Sequence, residues 1–190
     1  MTDSFYESQG FSKINFTKQE IKNIEFDNCH FSSCEFGQMD LSNTIFSECT
    51  FKNCNLSMAK LTNTAFKDVK FIECKLVGLD FSDCNPFLLD LDFNNCQLNF
   101  ASFFKLKLIN TSFNRSSLEE VHFNEVNLMN AKFDHCNLNK ALFENTNLSK
   151  ADFRTATNYS IDAETNYVKK AKFSSDGIAG LLDKYDITIY

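Results

Sequence analysis

Eight cysteines, three histidines and 25 carboxylates are the residues of this 190-residue chain whose types could carry chemistry. Thiolates attack carbonyls or hold zinc, imidazoles move protons or bind metals, and converging carboxylates serve as acid and base. Their spacing serves none of these roles. Cys29, Cys34, Cys49, Cys54, Cys74, Cys84, Cys96 and Cys136 follow a five-residue rhythm rather than the paired spacing of a zinc site. His30, His122 and His135 never recur at a common interval, and Asp134-His135-Cys136 is the one tempting local triad. With five glycines and one proline, the chain has neither a glycine-rich phosphate cradle nor the loops on which catalysis is usually built. No catalytic residue, cofactor, metal or small-molecule substrate is expected.

The net charge of −6 disfavours direct, sequence-independent nucleic-acid binding. No apolar run approaches the roughly 20 residues that cross a bilayer. The start, MTDSFYESQGF, lacks a basic stretch followed by an apolar one, so the cytoplasm is the expected compartment.

The elements that position these side chains come from an internal repeat. A large apolar residue recurs every five positions from Phe11 to Phe81 and again from Phe93 to Phe153, giving 28 centres that take 17 of the 22 phenylalanines. Among them are Phe26, Phe31, Phe36, Phe46, Phe51, Phe66, Phe71, Phe81, Phe93, Phe103, Phe113, Phe123, Phe133, Phe143 and Phe153. At about 100° per residue, a helix would scatter centres five apart around every face. A strand would throw alternate centres into water. Five residues can instead make one side of a square, a short extended piece and a corner. Four sides close a 20-residue coil, and 28 centres make seven coils aimed at a common axis. At about 4.8 Å per layer that is a rod about 34 Å tall.

A second inward residue, two before each centre, must then be small. It reads Cys29, Cys34, Thr44, Cys49, Cys54, Ala59, Thr64 and onward to Thr146 and Ala151, so the cysteines are packing residues. Cys29 and Cys49 stand one coil apart, close enough to bridge, but reduced thiols are expected in a reducing compartment. The other positions are mostly polar and face outward, with Asn and Asp suited to the corners.

Phe81 and Phe93 are 12 residues apart where two repeats take ten, so two residues are inserted around Pro86. The expected organisation is a lead-in (1–10), a first stack (11–81), a phase break (82–92), a second stack (93–157) and a C-terminal cap (158–190). Ser174-Ser175-Asp176 reads as a helix start, and Ile178, Leu181, Leu182 and Tyr185 make one apolar face. Ile187-Thr188-Ile189 alternates like a terminal strand. Such a cap is needed because an open end of stacked backbone invites association.

Copies such as Ala131-Lys132-Phe133-Asp134-His135 and Ala151-Asp152-Phe153-Arg154-Thr155 resemble the pentapeptide-repeat family over roughly residues 11–153. That resemblance implies a right-handed quadrilateral β-helix, all-β, with a short capping helix and strand. The stretch from Tyr159 to Ile189 is similar to the tail of quinolone-resistance members, which implies a homodimer joined through Ile178, Leu181, Leu182, Tyr185, Ile187 and Ile189. It also implies a non-enzymatic rod that mimics duplex DNA and occupies DNA gyrase or topoisomerase IV, with quinolone protection as a consequence. The alternative is a scaffold for an unrelated protein partner. The acids placed to meet a basic saddle are Glu20, Asp40 and Asp80 in one column, Glu48 and Asp68 in another, and Asp92 and Asp152 past the break. Most columns mix signs. Net charge is −4 over residues 1–85, −2 over 86–153 and zero beyond.

Overall fold

In the computed structural model, which describes residues 4–188, the chain winds as a parallel β-solenoid. One sheet stacks Phe5–Glu7, Glu25–Asp27, Ile45–Ser47 and Ala65–Lys67. A second stacks Gly10–Ser12, His30–Ser32, Thr50–Lys52, Val69–Ile72, Leu91–Asn94 and Phe113–Asn114. Phe26 lies opposite Phe46 and Phe46 opposite Phe66, so each coil takes 20 residues. Elsewhere the same register is held by single bridges, such as Glu35 with Asn55 and Lys132 with Asp152. A corner every five residues leaves too little extended chain for longer strands.

The large residues meet on the axis. One column of rings, Phe11, Phe31, Phe51, Phe71, Phe93, Phe113, Phe133, Phe153 and Phe173, runs without interruption, each stacked on the next with centroids 4.5–5.6 Å apart. Rings from other faces meet this column edge-on, as Phe103 from the opposite side of the coil meets Phe113 at 5.8 Å and 80°. Both geometries suit the ring quadrupole. The ladder outlasts the run of large residues at both ends: Tyr6 stacks on Phe26 at 5.4 Å and Phe173 on Phe153 at 5.3 Å. The number of coils is close to the seven expected.

The corners are left-handed. Among the described residues, twenty-nine non-glycine residues have positive φ, nearly all of them two places after a centre. Asn is frequent there, but Lys140, Glu125, Met58 and Phe100 adopt the same conformation. None is Val, Ile or Thr, whose branched Cβ makes this region most costly.

The small inward residues do more than fit. The Thr44 hydroxyl donates to Ile21 O at 2.9 Å, Thr64 to Leu41 O at 2.8 Å and Thr146 to Phe123 O at 2.6 Å. The Cys49 thiol donates to Phe26 O at 3.3 Å and Cys74 to Phe51 O at 3.3 Å. Each group thus adds a bond to a carbonyl of the coil before it, using a lone pair that the backbone hydrogen bonds leave free.

At the phase break Phe71 pairs with Phe93, a step of 22 rather than 20. Asn85 N–H donates to Thr64 O and Asp90 N–H to Phe66 O, so the surplus is shed between them as an outward loop. Phe87 and Leu88 are 68% and 63% exposed, while Leu89 packs against the core. The same coil moves the second aromatic column to another face. Before it the column is Phe26, Phe46 and Phe66; after it, Phe81, Phe103, Phe123 and Phe143, with Phe66 and Phe81 in tilted contact at 6.2 Å.

The C-terminal cap is helical but not α-helical. Ile178–Leu181 and Asp183–Tyr185 are successive 3-10 turns, and Asp186 ends them in the left-handed region. Gly177 and Gly180 lie so close to Tyr159 that the turns are pressed onto its ring and backbone. Gly180 O accepts Ile161 N–H at 2.8 Å, fastening cap to solenoid. Residues 186–188 form no strand, and Ile189 lies outside the described residues.

Candidate interaction surface

With its axis filled by side chains, the rod presents its chemistry on its outer faces. Of the acids singled out in the sequence, Glu20, Glu48, Asp68, Asp80 and Asp92 are exposed, and Asp40 and Asp152 are half-buried. Three are already matched. Asp40 holds Lys22 at 2.7 Å and the Ser42 hydroxyl, and these bonds keep its carboxyl well below the usual range. Asp152 pairs with Arg154 at 2.7 Å, which likewise lowers it, and Asp68 lies 3.7 Å from Lys70. Glu20, Glu48, Asp80 and Asp92 have no ion-pair partner among the described residues. The structure therefore does not bring the seven together into one stripe: Lys60 bridges Asp40 in the column that also holds Asp80.

The residues proposed to join two copies divide similarly. Ile178, Tyr185 and Ile187 are 51–56% exposed, while Leu181 and Leu182 are half-buried, Leu181 against the core. Lys184 holds Asp162 at 2.7 Å and Glu164 at 2.8 Å, and Tyr185 Oη donates to Glu164 at 2.9 Å. These contacts strap the last residues to the side of the rod.

The eight cysteines are buried and free. Desolvation pushes the Cys49 and Cys136 thiols up to about 12, so neither supplies a thiolate near neutral pH. His135 is a left-handed corner residue 3.9 Å from Asp134, pointing away from the buried Cys136; the triad does not assemble. Among the described residues no three His, Cys, Asp or Glu side chains gather as a metal cluster, and no helix is long and apolar enough to cross a membrane.

Two surface features escaped the sequence reading. Phe100 and Phe104 are exposed, 59% and 40%, beside the phase-break coil. Lys132, Lys150, Lys170 and Lys172 surround one depression. Reading columns at 20-residue steps past residue 157 would have found the second.

The profile of the pentapeptide repeat region matches residues 24–103 and 44–123, and that of pentapeptide repeats (8 copies) matches residues 127–157. This chain belongs to the pentapeptide-repeat family. Solved pentapeptide-repeat proteins share its fold. QnrB1 in a trypsin-treated form, a plasmid-mediated fluoroquinolone resistance protein, superposes with a TM-score of 0.64 at 17% identity, covering 98% of this chain and 100% of that one. Full-length QnrB1 gives 0.61 at 17% identity, covering 96% and 100%. HetL, involved in heterocyst differentiation regulation in the cyanobacterium Nostoc sp. strain PCC 7120, gives 0.71 at 14% identity, covering 90% and 86%. At these identities the likeness is one of fold. A search of curated protein sequences found no match.

Proposed function

We propose that this pentapeptide-repeat protein acts in the cytoplasm by surface binding rather than catalysis, as an acidic rod that engages a type II topoisomerase and shields it from quinolones. The observation that carries the reading is the set of unpaired carboxylates, Glu20, Glu48, Asp80 and Asp92, displayed on a rigid solenoid of net charge −6. Rigidity keeps the charges at fixed spacing, so a basic DNA-binding saddle meets them without ordering cost. The fold shared with QnrB1, a plasmid-mediated fluoroquinolone resistance protein, supports the quinolone part of the reading. The mixed-sign columns favour a second reading, a scaffold whose partner is not a DNA-binding enzyme.

Supercoiling by DNA gyrase with a quinolone present separates the two. Micromolar protein is expected to restore supercoiling, and Asp80→Lys with Glu20→Lys to abolish the rescue. No change in supercoiling, cleavage or drug response at that concentration removes the topoisomerase reading. In the same proposal two copies meet end to end through residues 174–190. Light scattering should then give twice the 21.8 kDa chain mass, and Ile178→Asp with Ile187→Asp should return it to a single chain. A single-chain mass for the unaltered protein refutes the dimer.

A further inference from the structure

Residues 20 apart are lateral neighbours on this rod, so like charges in one column repel. At other corners a lysine meets an acid one coil away: Lys140 lies 3.7 Å from Glu120 and Lys105 3.5 Å from Glu125. Lys150 has Lys170 instead. Lys150 N–H donates to Lys169 O at 2.9 Å, and Lys150 and Lys170 are left-handed corners with φ of 61° and 60°. Among the described residues this is the one step of the ladder where lysine stands over lysine.

Two residues along, Lys132, Asp152 and Lys172 form the adjacent column. Among the described residues that line the lysine depression Asp152 is the only carboxylate, and Arg154 already grips it, Nε to Oδ1 at 2.9 Å and Nη2 to Oδ2 at 2.7 Å. Lys172 remains 3.7 Å from it, and Lys132, Lys150 and Lys170 have no ion pair among the described residues. The four lysines and Asn130 line one open depression of about 370 Å³. Uncompensated cations thus face a shared hollow, on a chain that is acidic overall.

We propose that this depression binds a compact polyanion of the phosphate class, a polyphosphate or the phosphate chain of a nucleoside polyphosphate, held among Lys132, Lys150, Lys170 and Lys172. Four lysines lining one hollow match several linked phosphates, each of which would take a charge-assisted bond. The cluster spans three coils, about 10 Å at about 4.8 Å per layer. A duplex would run beyond that onto Asp92 and Asp134, and the acidic rod would repel it.

Sodium tripolyphosphate titrated calorimetrically into the full chain at low ionic strength should bind at one site. Lys150→Glu combined with Lys170→Glu should weaken it about tenfold or more. Glutamate suits these corners, since Glu120 and Glu125 adopt the same conformation. Lys170→Glu alone should also raise Tm by setting an acid beside Lys150, so a loss of binding is not a loss of fold. Lys13→Glu with Lys52→Glu, distant on the rod, should leave affinity within about twofold because exposed charges that far away are screened. The proposal is overturned by equal weakening in both double variants, by no saturable binding up to about millimolar tripolyphosphate, or by tighter binding of a DNA duplex or an acidic peptide.

Discussion

Alanine at Phe113 should lower the free energy of unfolding by about 4 kcal/mol, read from the denaturant midpoint. The ring is fully buried and touches four others: Phe93 and Phe133 stacked at 5.1 Å, Phe103 at 5.8 Å and Phe123 at 5.7 Å edge-on. Large-to-small core changes cost most where the surroundings cannot close the void, and here the void sits between coils whose separation is set by backbone hydrogen bonds. Phe113 N–H donates to Lys132 O at 2.7 Å and Phe93 N–H to Ser112 O at 2.9 Å, so neither neighbouring layer can settle inward. Phe173 supplies the comparison. It ends the column, is only partly buried and stacks or tilts against two described rings, Phe153 and Tyr159, so alanine there should cost about 1–2 kcal/mol. Because each coil contacts only its neighbours, the two losses should be independent. Equal costs at the two positions, or less than about 2 kcal/mol at Phe113, would mean that the aromatic axis is not what holds the rod together.

The axis was legible because one requirement acts on every fifth residue: a side chain that fills a square from one of its sides must be large and apolar. The small residue two places earlier was legible for the complementary reason. The corners were legible only in part: Asn is the most frequent residue there, as the sequence suggested, but Lys140, Glu125 and Met58 adopt the same left-handed conformation. The last coil was hidden by Asn158 and Ala163, which break the rhythm, while Tyr159 and Ile161 fill the interior out of phase. Most of the charge pattern was hidden too. Lys22 reaches Asp40 diagonally across a corner, so the pair is invisible in a column of residues 20 apart. Summing charge by stretch of sequence also cancels Lys150, Lys170 and Lys172 against acids that the winding carries to other faces. The cap's apolar spacing fits an α-helix, yet its i, i+3 members fit a 3-10 turn equally well. The decision lies with Gly177 and Gly180, whose role appears only when Tyr159 is seen against them.

Alanine at Gly180 sets two effects of opposite sign against each other. Helix propensity favours alanine over glycine by about 1 kcal/mol. Packing opposes it, since a Cβ there would fall well inside contact distance of the Tyr159 carbonyl oxygen and against the ring at 3.0 Å. Neither neighbour is a flexible chain end: one is backbone and the other is a ring packed on Phe173 and Phe153. Overpacking of this kind costs about 1–3 kcal/mol. Relieving it means lifting the turn, which also breaks the bond from Ile161 N–H to Gly180 O and draws Lys184 away from Asp162 and Glu164. Packing wins, and the expected result is a cap that opens while the rod stays wound. Hydrogen exchange at the Ile161 amide should accelerate by one to two orders of magnitude, about 1.4–2.8 kcal/mol of local stability. A protease should remove residues beyond Ser174 from the variant while leaving the coils from Phe11 to Phe153 intact. Exchange at Phe31 and Phe51, several coils away, should not change. Slower exchange at Ile161 together with a higher Tm would show that propensity prevails and that Tyr159 is not the anchor of this end.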